Sequence, residues 1–113
     1  MTALVAFSTC ADAASATDIA RALVEEGLAA CVNQVPGVVS TYRWHGKVHT
    51  DREVLLVIKT TEAAFAALDA RLRALHPYDT HELVAWPVAH GNADYLRWIA
   101  DAVASNPSPV EKS

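Results

Sequence analysis

The chain is predicted to fold as one α+β domain, a four-stranded sheet with helices on one side. Two observations carry this. The first is Val54-Leu55-Leu56-Val57-Ile58, five consecutive apolar residues that end at Lys59. As a strand it places Val54, Leu56 and Ile58 on one face and Leu55 and Val57 on the other. The second is a long extended stretch either side of this run, interrupted by Pro36-Gly37 and turned back at His45-Gly46-Lys47. Together they read as a long, bent β-hairpin.

The remaining elements follow in order. Ala3 to Thr9 is a strand of low polarity. Ser15 or Thr17 is placed to cap a helix in which Ala16, Ile19, Ala20 and Leu23 recur at helical spacing. Gly27 is placed to end it. Ala29 to Val35 is extended, Pro36-Gly37 marks a bulge or bend, and the pattern resumes from Val38 to Trp44. After the turn, a strand runs from Val48 to Thr60.

Thr61 caps a second helix with Phe65, Leu68, Leu72 and Leu75 on one stripe, and Pro77 stops it by pushing His76 out of helical geometry. Leu83 to Val88 is a short strand whose Pro87 suits an edge or an ending strand. Asn92 caps a last helix with Tyr95, Ile99 and Val103 on one side and Trp98 beside them. The order strand, helix, strand, strand, helix, strand, helix is a ferredoxin-like split βαβ with an extra C-terminal helix. The domain is expected over residues 1–104, with 105–113 as a flexible tail.

Two core helices cover one sheet face. A sheet with water on the other side alternates apolar with polar residues. Val54 to Ile58 does not alternate, so the second face is expected to be covered by another copy of the chain.

The chain has 113 residues, is 52% hydrophobic and 19% charged, and carries a formal net charge of −4. Those values suit one folded domain. The acidic balance, with no basic run, disfavours nucleic acid, whose phosphates need a basic face. No window is long and apolar enough for a membrane span. The N-terminus has no basic n-region, so Cys10 and Cys31 are expected as reduced thiols in a cytoplasm. Cys31, within Leu28-Ala29-Ala30-Cys31-Val32, reads as a small buried residue.

His76-Pro77-Tyr78-Asp79-Thr80-His81-Glu82 gathers ionisable and aromatic groups at one strand entry. Tyr78 as a packed aromatic and Asp79 as a turn residue are equally open readings. Were Glu82 to begin a buried strand, it would need a partner, and Lys59 is the candidate. Tyr42 and Trp44 share a strand face with Ser40. Five histidines raise the question of metal, but His81-Glu82 is not followed by a second helical histidine, and no spacing defines a site. His76 or His81 with Glu82 are the donors a borderline ion would use. No Ser/His/Asp or Cys/His arrangement and no glycine-rich phosphate loop can be placed, so no enzyme activity is expected.

Several segments together resemble the CutA family of divalent-cation tolerance proteins. They are Leu28-Ala29-Ala30-Cys31-Val32, Val35-Pro36-Gly37, Ser40-Thr41-Tyr42-Arg43-Trp44-His45-Gly46-Lys47, Ile58-Lys59-Thr60, His76-Pro77-Tyr78, Glu82-Leu83, and Pro87-Val88 through Gly91 to Tyr95-Leu96-Arg97-Trp98-Ile99. The resemblance implies a ferredoxin-like subunit in a homotrimer of PII-like architecture, with hairpins that extend the sheets across subunits. It implies a role in the response to metal ions, with Cu2+ or another divalent cation as ligand and none required for folding. It also implies a ligand cleft between subunits lined by Tyr42, Trp44, Lys59, His76, Tyr78, Glu82 and Trp98. Metal-binding members offer a cysteine at the end of the first strand and a histidine before His-Pro-Tyr. Here those positions are Ser8 and Leu75, and only His76 carries over as a metal ligand. The runner-up is a PII-like signalling module that takes a small anion in the same cleft through Lys59.

Overall fold

A computed structural model describes residues 2–104. The expected tail at 105–113, like Met1, lies outside the described residues. The elements are β1 (Ala3–Cys10), α1 (Ala13–Glu25), β2 (Cys31–Trp44), β3 (Lys47–Thr61), a 3-10 turn (Glu62–Ala64), α2 (Phe65–Leu75), β4 (Val84–Pro87) and α3 (Ala93–Ala104). The four strands form one sheet in the order β2-β3-β1-β4. All three pairings are antiparallel. This is the ferredoxin-like α+β arrangement expected from the sequence.

Local chemistry sets the helix ends. Asp12, rather than Ser15 or Thr17, caps α1: its side chain accepts from the Ser15 N–H at 2.8 Å. The helix starts earlier than expected, which makes Ser15 a donor inside the first turn. At the far end, Gly27 N–H donates to Val24 O and Leu28 N–H to Leu23 O, the paired bonds of a Schellman motif. Thr61 accepts from Ala64 N–H at 3.3 Å, and His76 leaves α2 in extended geometry just before Pro77. Asn92 accepts from Tyr95 N–H at 3.0 Å and starts α3. A fork from Arg71 to both carboxylate oxygens of Glu26 ties α2 to α1.

The main core lies between the sheet and α1 and α2. Ala6, Val54, Leu56 and Ile58 meet Ile19, Leu23, Leu68 and Leu72 there. Phe65 and Leu75, on the same stripe, are only half-buried. A second, smaller cluster joins α3 to the rest: Ile99 and Val103 pack with Ala30, flanked by Ala3 and Leu96. Leu96, not the expected Tyr95, completes that face, and Tyr95 is exposed.

The other sheet face carries Val5 and Phe7 of β1, Leu55 and Val57 of β3, and Val84 and Trp86 of β4, as the strand register requires. Phe7 and Trp86 meet edge-on with ring centroids 5.0 Å apart. Trp86 is 51% exposed and Val84 47%, while Val5, Phe7, Leu55 and Val57 are half-buried. The face is apolar and open, as the five-residue run predicts. Cys31 also points to this face and is half-buried, not fully buried as expected.

The hairpin carries the feature that matters most for the site. Before the bulge, Asn33 opposes Val57 and Val35 opposes Leu55; after it, Val38 opposes Glu53 and Tyr42 opposes His49. One extra residue at Pro36-Gly37 therefore reverses the alternation of β2. Even-numbered Ser40, Tyr42 and Trp44 thus share the open face with odd-numbered Glu53, Leu55 and Val57. The strands turn at His45 (φ 50°) and Gly46 (φ 77°), a two-residue loop of the type that matches strand twist. Because β1 pairs only with Val54–Thr61, the outer hairpin projects as an arm.

Gly37 has φ +79°, and a Cβ added there would meet nothing within 4 Å. Gly37→Ala is therefore expected to lower stability by about 1 kcal/mol through backbone strain alone, measured by urea unfolding. Ser8 Oγ is fully buried and has no hydrogen-bond partner among the described residues. Ser8→Ala is expected to raise stability by about 1 kcal/mol, because an unpaired buried hydroxyl is removed.

Candidate functional site

A cleft of about 630 Å³ opens where the hairpin arm passes the end of β1 and the loop between α2 and β4. Tyr42, Trp44 and Glu53 line it from the arm, and Tyr78, Asp79 and Glu82 from the loop. Thr9, Ser40, Thr41 and Thr80 add hydroxyls. Among the described residues, no lysine, arginine or histidine lines it.

Two phenols each donate to a carboxylate. Tyr42 OH donates to Asp51 Oδ2 at 2.6 Å, diagonally across the hairpin and two pairs along on the same face. Tyr78 OH donates to Glu53 Oε2 at 3.0 Å and so pins the loop to the arm. Glu53 is only 9% exposed. The bond to Asp51 raises the Tyr42 phenol above its ordinary value. Burial first, then Glu53, raises that of Tyr78. Both rings therefore stay protonated at neutral pH and act as donors rather than phenolates.

His76 stands behind the cleft. It is 6% exposed, and its Nδ1 accepts from Tyr78 N–H at 3.2 Å. Its Nε2 must then carry the hydrogen, which it donates to Thr9 O at 2.7 Å. The ring fastens the loop to β1, and both nitrogens are engaged. His81 lies 5.9 Å from it, ring to ring, and its Nε2 donates to Asp69 at 2.9 Å.

The residues singled out from the sequence thus fall into separate groups within one chain. Tyr42, Trp44, Tyr78 and Glu82 line one cleft, and His76 supports it from behind. Lys59 and Trp98 lie elsewhere. Lys59 is six residues from Glu53 along β3, about 20 Å, and donates to Asn33 Oδ1. Trp98 is 47% exposed on α3 and stacks on Tyr95 at 5.6 Å. Glu82 is exposed and precedes β4, so it is not the buried carboxylate that would call for Lys59. Sequence reasoning passed over Glu53 and Asp51. The signal was present: both sit on the tyrosine-bearing side of the hairpin, but only a register through the bulge reveals it.

The residues do not fit a preformed copper site within one chain. Among the described residues, no three His, Cys, Asp or Glu side chains gather closely enough to hold a metal ion. His76 has no free nitrogen, and the cleft offers oxygen donors, whereas imidazole and thiolate suit copper.

The family model for the CutA1 divalent ion tolerance protein matches residues 4–102. The chain belongs to the CutA1 family. It is 57% identical to the divalent-cation tolerance protein CutA of Thermus thermophilus over 76% of this chain and 84% of that one. It is 47% identical to the CutA homolog of Xenopus laevis over 87% of this chain, which spans 65% of that longer relative. The crystal structure of CutA from Xylella fastidiosa is similar at a TM-score of 0.87 and 50% identity, covering 89% of this chain and 97% of that one. For this CutA1-family chain, the matched residues include the four strands except Ala3, and the whole cleft. None of its described helices is long and apolar enough to cross a membrane.

Near the cleft, burial pushes the Cys10 thiol from 9.0 up to about 11, with Glu53 and Asp12 adding to the effect. Between pH 9 and 11 the unfolded chain releases this proton while the folded chain keeps it. Stability should therefore fall as pH rises through that window, by up to about 1.4 kcal/mol per pH unit from this group. Denaturant unfolding at stepped pH should show a shallower alkaline slope in Cys10→Ala than in the parent. Equal slopes would contradict the assignment.

Proposed function

We propose that this chain takes part in the response to divalent metal ions as a self-associating, non-catalytic protein, and that its cleft holds a positively charged ligand. The observation that carries the reading is the lining: Glu53, Asp79 and Glu82 with aromatic walls and, among the described residues, no basic side chain. Such a lining attracts cations and repels anions. Family membership supplies the link to divalent ions. The small-anion reading has less support, because Lys59 lies outside the cleft and is already bonded to Asn33.

The self-associated form we propose is a homotrimer. The open apolar face of Val5, Phe7, Leu55, Val57 and Trp86 supports self-association, since completing the burial of each partly covered side chain contributes a fraction of the about 1.5–3 kcal/mol of full burial; the number three comes from the family resemblance. Within one chain the residue set the family resemblance implies is incomplete, since Lys59 and Trp98 lie outside the cleft. Copper is a candidate ligand with donors from more than one chain, since the described residues of one chain gather no such set. The two free thiols, Cys10 buried and Cys31 half-buried, support a reducing, cytoplasmic setting.

The test is complementation. In a host deleted for its own relative, the parent chain should restore growth in copper or another divalent salt. Trp44→Ala combined with Glu53→Gln should restore little at equal protein level. Full rescue by that double variant would separate the cleft from the function.

A further inference from the structure

The chemistry of the cleft narrows what kind of cation it takes. Its volume of about 630 Å³ lies within the range of small-molecule sites, roughly 300–1,000 Å³. Its acidic groups are spread over two walls, Glu53 on the arm and Asp79 and Glu82 on the loop, and do not gather into one coordination sphere. Glu53 is nine-tenths buried, yet only its Oε2 is bonded; among the described residues its Oε1 accepts nothing. That oxygen is open to the cleft and free to accept from a ligand.

The walls between these acids are aromatic. Tyr42, Trp44 and Tyr78 offer ring faces and edges, which hold ammonium groups and methylene chains alike. A bare metal ion gains little from such walls. A quaternary ammonium would use the rings but has no N–H for the carboxylates. A chain of primary or secondary ammonium groups separated by methylenes uses both.

We propose that the ligand of the cleft is an organic cation of the oligoamine class, its ammonium groups held by Glu53, Asp79 and Glu82 and its methylene chain lying against Tyr42, Trp44 and Tyr78. This rests on the reading of the cleft as a cation site. Glu53 is the anchor, because it is the most buried of the acids and the bond from Tyr78 fixes its position. Charge-assisted N–H···O bonds at such a carboxylate are the strong ones. The tyrosines contribute as neutral rings, since their phenols stay protonated.

The experiment is calorimetry on the full chain at low salt, with spermidine, copper chloride, magnesium chloride and ATP as separate titrants. Glu53→Gln removes the charge and keeps an acceptor for Tyr78. Trp44→Ala removes one wall. Asp18→Asn, on the exposed side of α1, controls for diffuse attraction to an acidic protein. Spermidine should bind the parent and Asp18→Asn alike, about tenfold or more weakly to Glu53→Gln, and about threefold more weakly to Trp44→Ala. Metal heat that Glu53→Gln abolishes, with none from spermidine, would overturn the oligoamine assignment and leave the cation reading standing. Binding of ATP alone, or no heat from any titrant, would overturn both. Spermidine binding weakened equally by Asp18→Asn would also overturn the assignment.

Discussion

One strand segment, Val54 to Ile58, has no polar side, and most of the molecule answers to that. Its even-numbered residues are sealed under α1 and α2, where Leu56 and Ile58 have no exposed surface. Its odd-numbered residues share the opposite face with Phe7 and Trp86, and among the described residues no helix packs on the middle of that face. The small cluster of Ile99 and Val103 covers only the end near Ala3 and Ala30. A subunit built this way is half-finished in water, and the unfinished side also carries the candidate site.

The bulge connects the two. Without the extra residue at Pro36-Gly37, Tyr42 and Trp44 would point to the helix side of the sheet, where nothing at the arm awaits them. With it, they stand beside Glu53 on the open face and meet the loop that carries Tyr78. His76 completes the construction from the other direction by bonding both Thr9 O and Tyr78 N–H. The cleft is therefore a product of one backbone irregularity and one buried imidazole, and the imidazole acts as a fastener.

Much of this was legible in the residues. The five apolar positions gave the two-sided strand, Pro36-Gly37 the bulge, Thr61 and Asn92 the caps, and Pro77 and Pro87 the ends of α2 and β4. Helical spacing alone did not tell Tyr95 from Leu96, since both lie near the same stripe and only packing against Ala30 decides which is buried. Asp12 was missed because a cap depends on where the first turn begins, which Ala13 and Ala14 leave undefined. Glu53 was missed for a different reason. Its partner Tyr78 is 25 residues away, and such a contact depends on register and loop path, which periodicity does not encode. Lys59 and Trp98 were grouped with the cleft by resemblance, and a single chain leaves them apart.

Sedimentation equilibrium of the full chain at micromolar concentration tests the central claim most directly. A sheet apolar on both faces predicts a self-associated species, three times the 12.1 kDa mass of one chain in the proposed homotrimer, and no folded monomer. A well-folded 12.1 kDa particle, stable on dilution, would contradict it.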